Sequence, residues 1–151
     1  MHPYIHAKKT PNKPALIMAS SGKVTTYKEL DERSNQIAHL FRQKGLKIGD
    51  GISIFMENNS RFLEICWAAQ RSGLYFTPIS SKLTAGEVKY IHDDCNSKFL
   101  IASKYLKNVA NDFCYHHTNH LLVYIFRRTH LRNIFWHRIY YHQALELYIS
   151  N

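Results

Sequence analysis

The sequence has few cysteines and no long apolar run. Three cysteines are scattered among its 151 residues, at Cys66, Cys95 and Cys114, and form no C-x-x-C pair. Neither a zinc ribbon nor a redox pair is therefore expected, and the odd count suits a reducing compartment. The longest apolar stretch, Leu121 to Phe126, is far shorter than the about 20 residues that span a bilayer. Because the opening MHPYIHAKKTPNKP has no apolar signal core, we expect a cytoplasmic protein.

Glycine-rich phosphate loops are also missing. Gly49-Asp50-Gly51 starts a G-x-G, but Ile54 stands where a dinucleotide-binding fingerprint has its third glycine. The stretch from Ser20 to Lys23 contains one glycine and lies between two short apolar runs. A hairpin turn is the better interpretation of that stretch than a phosphate loop.

The chain is basic, with 20 lysines and arginines, 11 acidic residues and a net charge of +9. Such a charge is compatible with nucleic acid, an acidic membrane or a nucleotide. The lysines are scattered, however, and we find no recognition-helix or RNA-binding signature. We therefore do not expect nucleic acid as a partner.

Short apolar runs alternate with helix-start signals along the first two thirds of the chain. Strands are expected at 15–19, 24–26, 52–56, 74–79 and 99–102, and helices after Thr26, Asn59, Thr84 and Ser103. Strands that alternate with helices through short connections favour parallel pairing and crossover helices. The sequence thus predicts an α/β fold with a mainly parallel sheet and flanking helices.

The helix after Thr26 is the clearest of these elements. Thr26 and Glu29 have the spacing of a capping box, in which each side chain pairs with the other residue's backbone N–H. Leu30, Ile37 and Phe41 recur at helical spacing and predict one buried face. Thr84 and Glu87 form a second box of this kind.

Five motifs together carry a family resemblance. In order, they are TPNKPALI (10–17), TYKELDERSNQIAHLF (26–41), GLKIGDGISIFMENN (45–59), AAQRSGLYFTPIS (68–80) and LTAGEVKYIHDDC (83–95). Their order and spacing resemble the N-terminal part of the adenylate-forming (AMP-binding) enzymes, and most closely the fatty acyl-CoA synthetases.

This resemblance implies a reaction and its cofactors. Such enzymes use ATP and Mg²⁺ to turn a fatty acid into an acyl-adenylate, then pass the acyl group to CoA. The family's phosphate loop, magnesium carboxylate, ribose aspartate and mobile-domain lysine have no counterpart in this sequence. No catalytic residue and no metal ligand is therefore carried over, and none of these cofactors is expected to bind well to this chain alone.

One binding residue can be carried over. In relatives, a basic residue before the LTAGE-type helix approaches the nucleotide end of CoA, and Lys82 occupies that position. A flexible lysine can contact a phosphate as a point charge, although a solvated surface lysine is the competing interpretation. We expect Phe62, Trp67 and Tyr75 in the core rather than in an acyl pocket.

The composition changes after residue 113. All 12 lysines lie in residues 1–113, whereas residues 114–151 hold six of the ten histidines, five of the ten tyrosines and neither glycine nor proline. We therefore predict a partial N-terminal AMP-binding domain over 1–113. Residues 114–151 form a His/Tyr/Arg-rich tail that is not matched to the family and does not pack into the sheet.

Three interpretations of this tail stay open. It is out-of-frame translation that leaves a truncated, inactive synthetase, or it is a basic aromatic segment. In the second case, residues from about 121 to 138 form an interfacial helix that touches a membrane or a partner. In the third, His116 and His120, one helical turn apart, bind a metal, but only Cys114 offers a further ligand nearby.

Two functions follow from these interpretations. The first is a fragment of a fatty acid–CoA ligase, with fatty acid and CoA as the family's partners. The second is a small interaction or membrane-surface protein that reuses the N-terminal unit. In both, an exposed sheet edge is expected to cause self-association.

Overall fold

The computed structural model describes residues 3–115, 122–126 and 136–139, with side chains described as far as residue 113. The first half contains α1 (Pro3–Lys9), β1 (Pro14–Ile17), β2 (Val24–Thr26), α2 (Tyr27–Gln43), β3 (Gly51–Phe55) and α3 (Ser60–Arg71). It is followed by β4 (Tyr75–Ile79), α4 (Ala85–Asp94), β5 (Ser97–Ser103), a 3₁₀ turn (Lys104–Leu106), α5 (Lys107–Tyr115), β6 (Leu122–Phe126) and β7 (Trp136–Ile139).

The strands form two sheets. One is the hairpin of β1 and β2, which are antiparallel, and the other has five strands in the order β4-β3-β5-β6-β7. In the larger sheet β6 pairs parallel with β5, and β7 pairs antiparallel with β6. The predicted α/β fold, a mainly parallel sheet with flanking helices, is confirmed.

The chain divides into two compact units. The first comprises Met1–Ile52 and Glu57–Phe76, and the second comprises Ser53–Met56 and Thr77–Asn151. In the first unit, α2 packs against α3 and buries Leu30, Ile37 and Phe41, as their spacing predicts. In the second, seven apolar side chains form one core cluster: Phe55, Ile79, Val88, Leu100, Ala102, Ala110 and Phe113.

The start of α2 has the predicted capping box. The N–H of Glu29 donates to Thr26 Oγ1 at 3.2 Å, and the N–H of Thr26 donates to Glu29 Oε2 at 2.9 Å. Two backbone donors that the helix itself leaves free are thus satisfied. The end of α2 follows its prediction as well, because Gly45 has a φ of 81° and its N–H donates to the carbonyl of Arg42.

The turn between β1 and β2 is a plain hairpin connection. The N–H of Met18 donates to the carbonyl of Lys23 at 2.9 Å, and the N–H of Gly22 donates back to Met18. Gly22 has a φ of 65°, a conformation that favours glycine. This geometry supports the hairpin interpretation of Ser20 to Lys23 over a phosphate loop.

Residues after 113 correct the sequence analysis. The helix predicted over about 121–138 is wrong, because Leu122–Phe126 and Trp136–Ile139 are strands of the larger sheet. The prediction that the tail stays out of the sheet is wrong for the same residues. LVYIF is rich in the β-branched and aromatic residues that strands favour, and it pairs with the buried strand β5. The overall composition of residues 114–151 does not show this local strand pattern.

Other predictions for the tail lie outside the described residues. These include the metal pair of His116 and His120 and the basic side chains of Arg127, Arg128 and Arg132. The boundary predicted at 113 falls inside α5 and stays a prediction. Within the part of the chain that the structure describes, no helix is both long and apolar enough to cross a membrane.

Candidate functional site

The loop that carries Lys82 joins β4 to α4 in the second unit. Ile79 ends the strand, and the N–H of Leu83 donates to the carbonyl of Ser80 at 3.2 Å, which closes a turn. The N–H of Lys82 lies 3.4 Å from Ser80 Oγ. The backbone of Lys82 is thus held by a short turn while its side chain is exposed to solvent. No hydrogen bond of the described loop fixes the position of this side chain, and its contact with a phosphate stays a prediction.

The start of α4 is already occupied by a carboxylate. Both the N–H and the hydroxyl of Thr84 donate to Glu87 Oε2 at 2.8 Å. These hydrogen bonds, first from the backbone and then from the side chain of Thr84, lower the pKa of Glu87, so that it is ionised at neutral pH. The negative charge of Glu87 would repel an anion at this end of the helix. A phosphate near the loop therefore depends on Lys82, without help from the helix dipole.

A second lysine, Lys104, follows a strand at the same carboxyl end of the sheet. The crossover helix α3 connects the neighbouring strands β3 and β4, and α4 leads from β4 to β5 on the other side of β3. Strands joined in this way run parallel, and open sheets of this kind bind ligands beyond their carboxyl ends. Lys104 directly follows β5 and is exposed. Strands separated by one neighbour lie about 10 Å apart, which is the expected spacing of the ends of β4 and β5.

Lys104 is not among the residues predicted from the sequence. Its signal was available, because Lys104 follows the predicted strand 99–102 and its cap Ser103. The sheet order that brings the ends of β4 and β5 to either side of β3 is not visible in the sequence. That order is what places the residues after β4 and those after β5 at the same end of the sheet.

Thiol chemistry finds no support among the described cysteines. Burial raises the pKa of the Cys66 thiol to about 11, so it stays protonated at neutral pH and is a poor nucleophile. Cys95 is exposed at the end of α4. In residues 3–113, no three His, Cys, Asp or Glu side chains cluster as a metal site.

Comparison with known proteins decides the family. Residues 4–132 match the family model described as AMP-binding enzyme. The chain belongs to the AMP-binding enzyme family. The match extends past the boundary predicted at 113 and includes β6, which is consistent with the pairing of β6 and β5.

Two of the similar curated proteins are named as ligases. A fatty acid–[acyl-carrier-protein] ligase of Streptomyces coeruleorubidus is 33% identical over 95 residues, which cover 63% of this chain and 18% of that protein. A 3-oxocholest-4-en-26-oate–CoA ligase of Rhodococcus rhodochrous is 31% identical over 95 residues, covering 62% and 17%. The chain thus spans less than a fifth of the length of these relatives.

Solved structures show the same fold. A fatty acyl CoA synthetase of Mycobacterium tuberculosis matches with a TM-score of 0.69 and 24% identity, over 77% of this chain and 23% of that one. A benzoate CoA ligase of Burkholderia xenovorans matches with a TM-score of 0.71 and 21% identity, over 80% and 24%. At these identities the likeness concerns the fold alone.

Proposed function

We propose that this chain forms the N-terminal part of an ATP-dependent fatty acid–CoA ligase. In the reaction, the carboxylate attacks the α-phosphorus of ATP to give acyl-adenylate and pyrophosphate. The thiol of CoA then displaces AMP and leaves as the thioester. The match of residues 4–132 to the AMP-binding family carries the proposal, and the fatty acid and CoA ligases among the relatives support the substrate class.

We further propose that the chain alone does not catalyse this reaction. It spans 18% of the fatty acid ligase of Streptomyces coeruleorubidus, and the sequence has no counterpart of the family's phosphate loop or later motifs. Loss of a single electrostatic contact at such a centre costs about 10²–10³ in rate. Loss of all of them should leave no measurable turnover.

A chimera tests the function directly. Residues 3–113 of this chain would replace the matching segment of the Mycobacterium tuberculosis synthetase, and pyrophosphate release would be measured with ATP, Mg²⁺ and a panel of fatty acids. We expect the chimera to release pyrophosphate and the isolated chain to remain at the blank. The unmodified synthetase and a version that lacks the segment serve as controls. A folded but inactive chimera would contradict the assigned function, and turnover by the isolated chain would contradict its inactivity.

Lys82 is proposed to contact a phosphate at the nucleotide end of CoA. In the chimera, K82A should raise the KM for CoA by up to about fivefold, which corresponds to an exposed charge contact of 0.2–1 kcal/mol. The kcat should be unchanged, because the contact lies away from the thiol. K28A, which removes an exposed lysine of α2 in the first unit, is the matched control.

Two alternative acyl acceptors make this test more specific. With dephospho-CoA, which lacks the 3′-phosphate, the difference between Lys82 and alanine should vanish if that phosphate is the one contacted. With a carrier protein that has its free thiol as acceptor, as in the Streptomyces relative's name, the same substitution tests whether CoA is the proper acceptor. Equal KM values for CoA in K82A and its parent would contradict the assignment.

The alternative function has no observation in its favour. Its interfacial helix would include residues 122–126, which form a strand. Self-association through an exposed sheet edge, weak membrane contact and a cytoplasmic location stay predictions from the sequence.

A further inference from the structure

Residues 1–28 contain no aspartate or glutamate, and the first acidic residue of the chain is Glu29. The same segment contains five lysines, all of which are exposed: Lys8, Lys9, Lys13, Lys23 and Lys28. Charge of one sign along a continuous segment produces a positive potential that attracts an anionic partner. The segment belongs to the first unit and does not include the loop of Lys82.

Helix α1 presents apolar side chains beside two of these lysines. Tyr4 and Ile5 are 45% and 38% exposed, and Lys8 and Lys9 follow them by one helical turn. Residues four apart share a helix face. Accordingly, the Lys8 Nζ atom lies 4.6 Å from the centroid of the Tyr4 ring. The outer face of α1 therefore carries an apolar pair at its start and a basic pair at its end.

The other side of α1 and the segment after it pack against the start of α2. The His6 ring stacks on the Tyr27 ring, with the two centroids 4.8 Å apart. The N–H of Tyr27 donates to the carbonyl of Lys13 at 3.1 Å, and the N–H of Lys28 donates to the carbonyl of Pro11 at 3.0 Å. Lys13 and Lys28 are therefore close in space. We define the basic surface as six exposed residues: Tyr4, Ile5, Lys8, Lys9, Lys13 and Lys28.

Two carboxylates of α2 that follow this surface in sequence are bound to arginines. Glu29 Oε1 accepts from Arg33 Nη2 at 3.3 Å, and Asp31 Oδ1 accepts from Arg71 Nη2 at 2.7 Å. Glu32, the next acidic residue, is exposed and marks the end of the basic surface along α2. The negative charges of Glu29 and Asp31 are thus balanced by arginines, and the lysine charges stay available to an outside partner.

We propose that the basic surface docks on a bilayer of anionic phospholipid, with Tyr4 and Ile5 in the headgroup region and the lysines against the lipid phosphates. Tyrosine is enriched at membrane–water interfaces because its ring is apolar and its hydroxyl is polar. Lysines close to an anionic leaflet are attracted to it over about a Debye length. A nucleic acid would bind the lysines but would offer Ile5 no apolar environment, so the combination favours lipid.

This binding goes beyond the proposed ligase function and does not depend on it. It also differs from the interfacial helix predicted over about 121–138, because the basic surface lies in α1 and at the start of α2. Its consequence for catalysis does rest on the proposed function. A fatty acid dissolves in a bilayer, so a ligase held at the bilayer surface meets a substrate that is scarce in water.

Cosedimentation of the 151-residue chain with lipid vesicles tests the contribution of the lysines. Vesicles of phosphatidylcholine alone are compared with vesicles that contain about 30% phosphatidylglycerol, at about 0.1 M salt and without ATP or CoA. We expect the chain to prefer the anionic vesicles. K9A/K13A should weaken this binding by about 10- to 30-fold, at about fivefold for each lysine near the leaflet.

The matched control is K47A/K107A, which removes two exposed lysines outside the basic surface. It should weaken binding by no more than about twofold, because charges beyond a Debye length from the leaflet are screened. Equal losses in the two double variants would overturn the proposal. Failure of the unmodified chain to bind the anionic vesicles would overturn it as well, and would leave the ligase function untouched.

Substitution of the apolar pair tests the choice of lipid over nucleic acid. Y4S/I5S should bind the anionic vesicles about fivefold more weakly than the unmodified chain, since two apolar side chains lose their place in the interface. Y90S/Y105S, which replaces two exposed tyrosines of the second unit, should bind like the unmodified chain. Unchanged vesicle binding in Y4S/I5S would contradict the proposal. Tighter binding of a DNA duplex than of the vesicles would assign the lysines to nucleic acid instead.

Hydrogen exchange of the unmodified chain locates the contact without any substitution. Addition of anionic vesicles should slow the exchange of backbone amides in α1 and at residues 10–13, whereas phosphatidylcholine vesicles should leave it unchanged. The amides of α4, in the second unit, serve as the internal control. Slower exchange at residues 121–138 with no change in α1 would assign membrane binding to that segment and rule the proposal out.

Discussion

Replacing Glu64 with alanine should lower the free energy of unfolding by about 3 kcal/mol. The Glu64 side chain, on α3, is 1% exposed and binds two arginines. Its Oε1 accepts from Arg33 Nη1 at 3.1 Å, and its Oε2 accepts from Arg61 Nη1 at 2.7 Å. The variant would leave both guanidinium groups without this carboxylate at the interface of α2 and α3.

The expected size follows from the exposure of the two arginines. Loss of one partner from a fully buried pair costs about 3–5 kcal/mol, because a buried charge is left uncompensated. Arg33 and Arg61 are 18% and 23% exposed, so water can reach part of each group. Arg33 also keeps its contact with Glu29, at 3.3 Å. These two facts place the expected loss at the lower end of that range.

Chemical unfolding of E64A beside E32A measures the effect. Glu32 is an exposed residue of α2, so its loss should change stability by no more than about 0.5 kcal/mol. E64Q keeps the shape and one acceptor oxygen, and should fall between the two. If E64A and E32A were equally stable, the carboxylate of Glu64 would not hold the two helices together.

The sequence predicted best what depends on neighbours along the chain. The capping box of Thr26 and Glu29 and the buried face of Leu30, Ile37 and Phe41 are confirmed, because both depend on residues within about three helical turns. The hairpin turn at Gly22 is confirmed for the same reason. Lys82 is exposed in the expected loop, since the end of β4 and the second capping box limit that loop on both sides.

What the sequence missed depends on residues that are distant in the chain. Arg33 pairs with Glu64, which is 31 residues away in the chain, so no local pattern predicts the contact. Ser53 Oγ lies 3.1 Å from His92 Nδ1, and these two residues are 39 apart in the chain, so no local pattern joins them. Tyr75, expected in the core, is 74% exposed, because a strand at the end of a sheet offers less cover than an apolar run suggests.

The largest expected loss of stability is that of F113A, at about 3–5 kcal/mol. Phe113 is fully buried in α5 and belongs to the core cluster of the second unit, with Phe55 and Leu100. Truncation removes the transfer free energy of the ring and leaves a cavity that neighbouring strands can fill only in part. The ring also forms an edge-to-face contact with His92, which the variant removes.

Comparison with Y105A separates burial from aromatic character. Tyr105 is also an aromatic residue of the second unit, in the 3₁₀ turn before α5, but it is 80% exposed. Its loss should therefore change the free energy of unfolding by no more than about 0.5 kcal/mol. F113L, which keeps much of the volume, should recover more than half of the loss in F113A. If F113A were as stable as Y105A, the Phe113 ring would not contribute to the core of the second unit. A large loss of unfolding free energy in F113A, with little loss in Y105A, would instead mean that the packed core of the second unit includes α5 as far as Phe113.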